Sequence, residues 1–515
     1  MIDPTSLLHK SVQLFADRTA LVQGDRRLTY RQLWDRSVRL ANALGDNGIE
    51  PGERVALLGD NSFESLEHIT GLALGGYVRC ALYTHDVVDR HLYLLGLTKA
   101  SALIVQEKYF AALRPRLGEV PHVRLVMVIG DGDYGDAHHY EAALAAASTG
   151  DPRVQVEEDQ PHVIRFSAGT TGLPKGILHT WRGWRDMGTE MSLAVRGFDE
   201  DDCYLAAGPL SHAAGMFAWP LLAAGASTVL MSGFDPAQFL RLVEAERVTT
   251  TVVGPTVIQM VTEHPDAQWR DLSSLRVVGH GTAPATEAVL TKAISVWGNV
   301  MYQVYGQSEA LPLTVLGPRH HRVDGSDEER AWLRSAGRPT PNAEVKILDD
   351  DGHELPVGEI GEIVGYTPGR MTEIWNDPEG TAQRITADGG VRTRDMGSIS
   401  ADGFLYLADR KEDTIISGGY NIWPNELENA LMNHPAVAEA AVVGVPHPKW
   451  GETPMAVVVL RPDAQVEEEE LITWTREKVG SVKKVTAVRF VSELPRTPIG
   501  KLARRSIREQ MRSAT

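Results

Sequence analysis

A layered α/β architecture in a large N-terminal domain, with a β-rich subdomain, followed by a small mobile α+β domain, is the fold class that the sequence predicts. Over roughly the first 400 residues, short apolar β-branched runs alternate with helix-compatible segments, the pattern of strands and helices stacked in layers. After Arg410 a short helix, two strands, a second helix and a final strand make a compact unit of their own. The length of 515 residues also exceeds what one hydrophobic core ordinarily serves.

The elements follow in order. Strands are predicted at 54–59, 123–129, 249–253 and 275–278, each an apolar run bounded by polar or turn residues. From 213 to 234 no residue is charged, a span long enough for a bilayer. Gly215, Pro220, Gly225, Ser227, Thr228, Ser232 and Gly233 interrupt it and no basic flank orients it. A buried helix ending near Gly225 and a buried strand at 226–231 are expected instead. Pro284 stands near the start of a helix reaching Trp297, a position that suits proline. Hairpins follow over 343–364, with Asp349, Asp350, Asp351 and Gly352 as turn signal. The last unit reads as helix 424–432, strands 437–443 and 455–460, helix 467–479 and strand 487–491. The expected division is 1–410 and 411–515, with a hinge near Glu412.

Composition narrows the function. Hydrophobic residues at 43% and charged residues at 23% describe a soluble globular enzyme. The formal net charge of −17 argues against nucleic-acid binding and requires that any anionic substrate be met by local cations. Cys80 and Cys203 give neither a disulfide framework nor a metal quartet. Asp3, Pro4 and His9 break the apolar core that a signal peptide needs, so a cytoplasmic location is expected. Gly130, Gly132 and Gly135 fit G-x-G-x-x-G after a good strand, but Asp131 and Asp133 would repel a pyrophosphate. An acidic surface turn is expected there.

The segment 166–176 is the most informative. It follows the strand residues Val163 and Ile164 and leads into a mostly helix-compatible stretch. Gly169, Gly172 and Gly176, with the hydroxyls of Ser167, Thr170 and Thr171 and Lys175 at the rim, suit the phosphates of a nucleotide. Small residues let backbone N–H groups approach an anion. The spacing is not that of a Walker A loop, and Arg165 stands where a nucleophile elbow needs its first glycine. A serine- and glycine-rich surface turn is the alternative for this segment alone.

With Pro209–His212, 279–284, 303–309, 392–395 with Asp409 and Arg410, 417–421 and 495–501, this segment resembles the adenylate-forming superfamily, in that family's chain order and across nearly the whole chain. That superfamily includes acyl-CoA synthetases, aryl-acid adenylating enzymes and luciferases. Departures are Ala168 for a serine, His280 for a smaller residue, Ser308 for a threonine and Arg394 for a glycine.

The resemblance implies an AMP-forming carboxylate–CoA ligase that uses ATP, Mg²⁺ and coenzyme A. It implies that Ser167, Gly169, Thr170, Thr171, Gly172 and Lys175 hold the phosphates. Gly281, Thr282, Ala283, Gln303, Val304, Tyr305, Gly306, Gln307 and Ser308 would edge or stack on the adenine. Glu309, with Thr170, would hold Mg²⁺ through hard oxygen ligands. Asp395 would accept both ribose hydroxyls with Arg410 beside it, and His212 would edge the reacting carboxylate. Lys501 would bridge carboxylate and phosphate. Gly418 and Gly419 would line the pantetheine passage, and Lys483 is the candidate for the CoA phosphates.

The acyl pocket is expected from His212, Ala213, Gly215, Met216, Trp219, Thr256, Met260, Gly279, His280, Gln307 and Leu311, a mainly apolar set that disfavours amino acids. A hydrophobic aliphatic, alicyclic or aromatic acid is the expected substrate. Two alternatives stay open: an enzyme that loads an acyl carrier protein instead of CoA, and a non-catalytic nucleotide or acyl-adenylate sensor. No nucleic acid, no transmembrane segment and a monomer or homodimer complete the expectation.

Overall fold

The computed structural model describes residues 3–167, 173–281, 285–410, 413–417, 420–481, 483–496 and 502–512. They fall into two compact units, Met1–Val345 with Gly365–Val391, and Lys346–Val364 with Arg392–Thr515.

The first unit is built on two sheets. One has nine strands, in the order Arg338–Pro339, Ala310–Leu316, Met301–Gln307, Val277–His280, Thr250–Val253, Cys203–Ala206, Ser227–Leu230, Thr19–Gln23 and Arg26–Thr29. Its central strands pair in parallel and its margins antiparallel. The other has eight strands, with Arg54–Leu58, Val78–Ala81, Ala102–Gln106 and Pro161–Ser167 among its parallel centre. These strands are mostly buried on both faces, as parallel strands covered by helices must be. One core cluster gathers Leu21 of the first sheet, Val163 of the second, and Trp181, Trp184, Met187, Met216, Trp219 and Leu311.

Three expectations change in detail. The glycine-rich segment is followed first by a strand, Lys175–Thr180, antiparallel to Pro161–Ser167 with Ser167 opposite Lys175. The helix starts only at Trp181 and is capped by the Thr180 hydroxyl, which accepts from the Gly183 amide. Ile177, Leu178 and His179 are buried between two neighbouring strands, a tertiary demand that overrides helix propensity. The strand expected at 275–278 runs instead over Val277–His280, and the helix after it is Glu287–Trp297, capped by Thr286. The uncharged stretch folds as expected: Ala213–Phe217 is a 3₁₀ turn, helix Ala218–Ala224 ends at Gly225 with φ 81°, and strand Ser227–Leu230 follows. Gly130–Gly135 is a turn with Asp131 and Asp133 exposed, closed over buried Tyr134. Among the described residues no helix is long and apolar enough to cross a membrane.

The second unit holds a four-stranded sheet, Glu344–Leu348, Gly361–Tyr366, Val391–Ile399 and Leu405–Arg410. It also holds a five-stranded sheet in which Val437–His447 and Gly451–Leu460 form a long antiparallel pair and Ala487–Phe490 adds in parallel. Helices Pro424–Met432 and Glu468–Val479 pack their apolar sides on that sheet.

Candidate active site

Strands Met301–Gln307 and Ala310–Leu316 form a hairpin whose tip is Ser308 and Glu309. Gly306 is required just before the tip, because a Cβ there would stand 2.4 Å from Leu311 Cδ1 and 2.8 Å from the Ala310 carbonyl. Three bonds pin the tip. His179 Nε2 lies 2.9 Å from the Ser308 carbonyl, the Met371 amide donates to the Glu309 carbonyl at 2.7 Å, and Arg384 reaches both side chains. Its Nη2 donates to Gln307 Oε1 at 2.9 Å and lies 3.3 Å from Glu309 Oε1. Glu309 and Arg384 are both nearly buried, so this is an ion pair removed from solvent.

Arg384 is the last residue of helix Pro378–Arg384. The first turn of that helix is capped by Asp377, which accepts from the Gly380 amide at 2.8 Å and from Lys175 Nζ at 2.8 Å. Lys175 holds the Asp377 carboxyl below its ordinary range. One helix of about 10 Å therefore ties Lys175 at one end to Glu309 at the other. Trp375 sits at its head, with its amide donating to the Gly176 carbonyl at 2.8 Å and its indole to the Leu97 carbonyl at 3.2 Å. Sequence reasoning missed Asp377 and Arg384, although Asp-Pro is a helix-start signal.

His212 introduces the Ala213–Phe217 turn and stands edge-on to Tyr83, with Nδ1 at 3.3 Å from the Tyr83 hydroxyl. That hydroxyl donates to the Phe166 carbonyl at 2.8 Å, so toward His212 it accepts, and the histidine proton belongs on Nδ1. Burial pushes the Tyr83 phenol up to about 12. Tyr83 was also missed.

Behind this pair lies the wall formed by Met216, Trp219 and Leu311, all buried. Trp219 packs edge-on against Trp181 with centroids 5.0 Å apart. Ala213 is half-buried beside them, and Arg79 donates to the Leu210 carbonyl at 2.7 Å. Gly215 has no room for a Cβ, which would meet that carbonyl at 2.2 Å. Thr256 and Met260 are exposed. Helix Pro255–Glu263 buries Ile258, Val261 and Thr262 and turns both of them to solvent.

Gly279 lies 3.0 Å, by its missing Cβ, from Val252. His280, the next residue along the strand, belongs to its opposite face and meets buried His321, Nε2 to Nε2 at 3.4 Å. Burial pushes His280 down to about 3. A Cβ on Gly281 would meet the Val304 carbonyl at 2.6 Å, and Gln303 donates to the Ser335 carbonyl at 3.1 Å. Tyr305 pairs with Thr314 across the hairpin.

In the second unit Asp395 and Arg410 are cross-strand partners, and the Asp395 amide donates to the Thr393 hydroxyl at 3.1 Å. Arg394 has φ 60°, the left-handed region, which accounts for the glycine usual in relatives. Lys483 is paired with Glu426 at 2.8 Å. Gly169, Thr170, Thr171, Gly172, Thr282, Ala283, Glu412, Gly418, Gly419, Lys501 and the Arg410 side chain lie outside the described residues. Asp349, Asp351 and His353 form the metal-capable cluster among the described residues. It is an exposed turn knit by its own bonds.

A two-sheet α/β unit with a phosphate-type segment, a carboxylate at a hairpin tip and a smaller α+β unit is the layout of an adenylate-forming enzyme. Residues 8–375 match the AMP-binding enzyme model and residues 426–501 match the AMP-binding enzyme C-terminal domain. The chain belongs to the AMP-binding enzyme family and is an acyl-CoA synthetase of the adenylate-forming superfamily. It is 35% identical to the medium/long-chain-fatty-acid–CoA ligase FadD8 of Mycobacterium tuberculosis, over 98% of this chain and 89% of that one. It is 32% identical to the fatty acid–[acyl-carrier-protein] ligase ScoC of Streptomyces coeruleorubidus, over 95% and 93%. The amide bond synthetase McbA of Marinactinospora thermotolerans has a similar structure, with TM-score 0.89, 30% identity and 98% and 99% of the two chains covered.

Proposed function

We propose that this chain activates a hydrophobic aliphatic, alicyclic or aromatic carboxylic acid as its adenylate and passes the acyl group to CoA. The observation that carries the reading is the single helix that ties Lys175, beside the glycine-rich segment, to Glu309 at the hairpin tip. A full-length relative named as a CoA ligase supports the acceptor.

In the first half-reaction a carboxylate oxygen attacks the α-phosphorus of ATP and the bond to pyrophosphate breaks. Asp377 stays ionised and holds the Lys175 ammonium toward the segment that takes the phosphates, with Ser167, Gly169, Thr170, Thr171 and Gly172. A single buried carboxylate fits Mg²⁺, which ordinarily completes its shell with phosphate oxygens and water. Glu309 and Thr170 would hold the ion, and its charge there offsets that of the phosphates. His212, held edge-on against Tyr83, edges the carboxylate end. Tyr305, Gln303, Gly281, Thr282, Ala283, Val304, Gly306, Gln307 and Ser308 receive the base, and Asp395 with Arg410 the ribose.

Lys501 brings a second cation to the attacking oxygen and phosphate, and Lys501→Ala is expected to lose adenylation. In the second half-reaction the thiol sulfur attacks the acyl carbon and AMP leaves with the bonding pair. The division at 410, the hinge at Glu412 and a pantetheine passage at Gly418 and Gly419 belong to this reading. The gap between the two family matches, 376–425, supports such a boundary. Lys483 at the CoA phosphates would have to leave Glu426. The protein is read as a cytoplasmic monomer or homodimer.

ScoC's printed acceptor favours a second reading, loading of a carrier protein. One experiment separates the two. The pure protein is incubated with Mg·ATP and a panel of hydrophobic acids, with and without CoA, and the products are weighed by mass spectrometry. Acyl-CoA plus AMP is expected. Adenylate that CoA cannot discharge would turn the assignment to a carrier protein, and no adenylate from any acid would overturn the ligase.

A further inference from the structure

Arg165 is the residue that the site as described leaves unused. It lies on strand Pro161–Ser167, two residues before the strand ends at the glycine-rich segment. Its neighbour two positions back, Val163, packs into the cluster of Trp181, Trp184, Met216, Trp219 and Leu311, and side chains two apart share a face. The guanidinium accordingly stands 5.7 Å from the Trp184 ring. Only 7% of Arg165 is exposed, and among the described residues its Nη1 is buried without a hydrogen-bond partner. Its ionisable surroundings include Tyr83, which touches His212, Glu309, which is paired with Arg384, and buried His179. Arg79, on the adjacent strand and in register with Val163, adds a second buried cation about 7 Å deeper. It differs in having an anchor on the Leu210 carbonyl.

A guanidinium has five donors and no means of becoming neutral at ordinary pH. Leaving its Nη1 buried without an acceptor is costly, so a fold that does so beside the expected acyl wall implies that an acceptor arrives with the substrate. The reacting carboxylate is a poor candidate. It must meet the α-phosphate at the end of the strand, and a bidentate arginine pair would hold back the electron pair that has to attack. We infer that Arg165 recognises a second oxygen acceptor on the acyl substrate, a carboxylate or a ketone, remote from the carboxylate that is activated. The substrate class narrows from a plain hydrophobic acid to one with an oxygen on its hydrocarbon body. This rests on the ligase reading for its setting but is tested separately from it.

The test uses the full chain and three matched acids: 3-phenylpropanoic acid, its 4-acetyl derivative and its 4-carboxy derivative. ATP–pyrophosphate exchange reports adenylation, and the shift in melting temperature at saturating acid reports binding without turnover. At least one oxygen-bearing acid is expected to exceed the plain acid by roughly tenfold or more in kcat/KM. Arg165→Met should abolish that advantage while changing the plain acid less than about threefold. Arg165→Gln, which keeps donors but not charge, should retain the acetyl preference and lose the carboxy preference. A plain acid that does as well as both derivatives in the wild-type protein overturns the inference without any variant. An equal fall for all three acids in Arg165→Met also overturns it, since Arg165 would then serve the reacting carboxylate. Exchange with no acid, but a melting shift that depends on Arg165, would sink the ligase and keep the inference. Absence of both would sink both.

Discussion

Arg384 and Arg165 are both buried arginines of the first unit near Glu309, and they are held in opposite ways. Around Arg384 the charges are paired, Lys175 with Asp377 and Arg384 with Glu309, although Arg384 Nε is also buried without a hydrogen-bond partner among the described residues. Around Arg165 and Arg79 the wall carries cations and the histidines His68, His162 and His179, and among the described residues no carboxylate pairs with either arginine. The paired region positions groups for the chemistry. The unpaired one is costly to fold and is explained only by what it binds.

Removing each arginine should separate the two most sharply. Arg384→Met leaves Glu309 buried without its cation and should cost about 3 kcal/mol in urea unfolding, with adenylation lost. Arg165→Met removes an unpartnered charge and should be neutral or stabilising. A large loss of stability there would break the comparison.

Acidification comes next. Burial pushes His68, His162 and His179 down to about 3, whereas the unfolded chain titrates near 6.5. The unfolded state therefore binds more protons between these values. Stability is full above 6.5 and falls below it, by at most about 1.4 kcal/mol per pH unit for each histidine. His162→Gln should flatten the slope measured between pH 7 and 5. Asp377, with its carboxyl lowered by Lys175, has the same sign in a more acid window. Its contribution persists through that window and is lost only below the ordinary carboxylate range.

Asp377→Asn should change stability by less than about 1 kcal/mol, since the Lys175 pair is partly exposed. It should instead raise KM for ATP more than it lowers kcat, because Lys175 loses its guide. A last change lies in the second unit, outside both regions. Arg394→Gly relieves a left-handed residue and should raise stability by about 1 kcal/mol.

The sequence made the layers, most strands and the motif order legible, because apolar runs, turn residues and the glycine-rich string are local signals. The strand Lys175–Thr180 was hidden because its residues suit a helix until two neighbouring strands bury them. Asp377 and Arg384 were hidden because their partners lie 202 and 77 residues away. Arg165 was seen only as the residue that rules out a nucleophile elbow. Nothing local tells a buried arginine from an exposed one, and its isolation is a property of packing.

The Trp375 indole at the head of the helix gives the protein a built-in optical probe. Its Cβ stands 3.1 Å from where a side chain on Gly176 would begin, one residue from Lys175. A nucleotide that draws Lys175 off Asp377 changes the charge beside that ring, and the indole emission should shift with ATP. Trp375→Phe would assign the signal among the 11 tryptophans. Ligand entry could then be timed by stopped flow with no label attached.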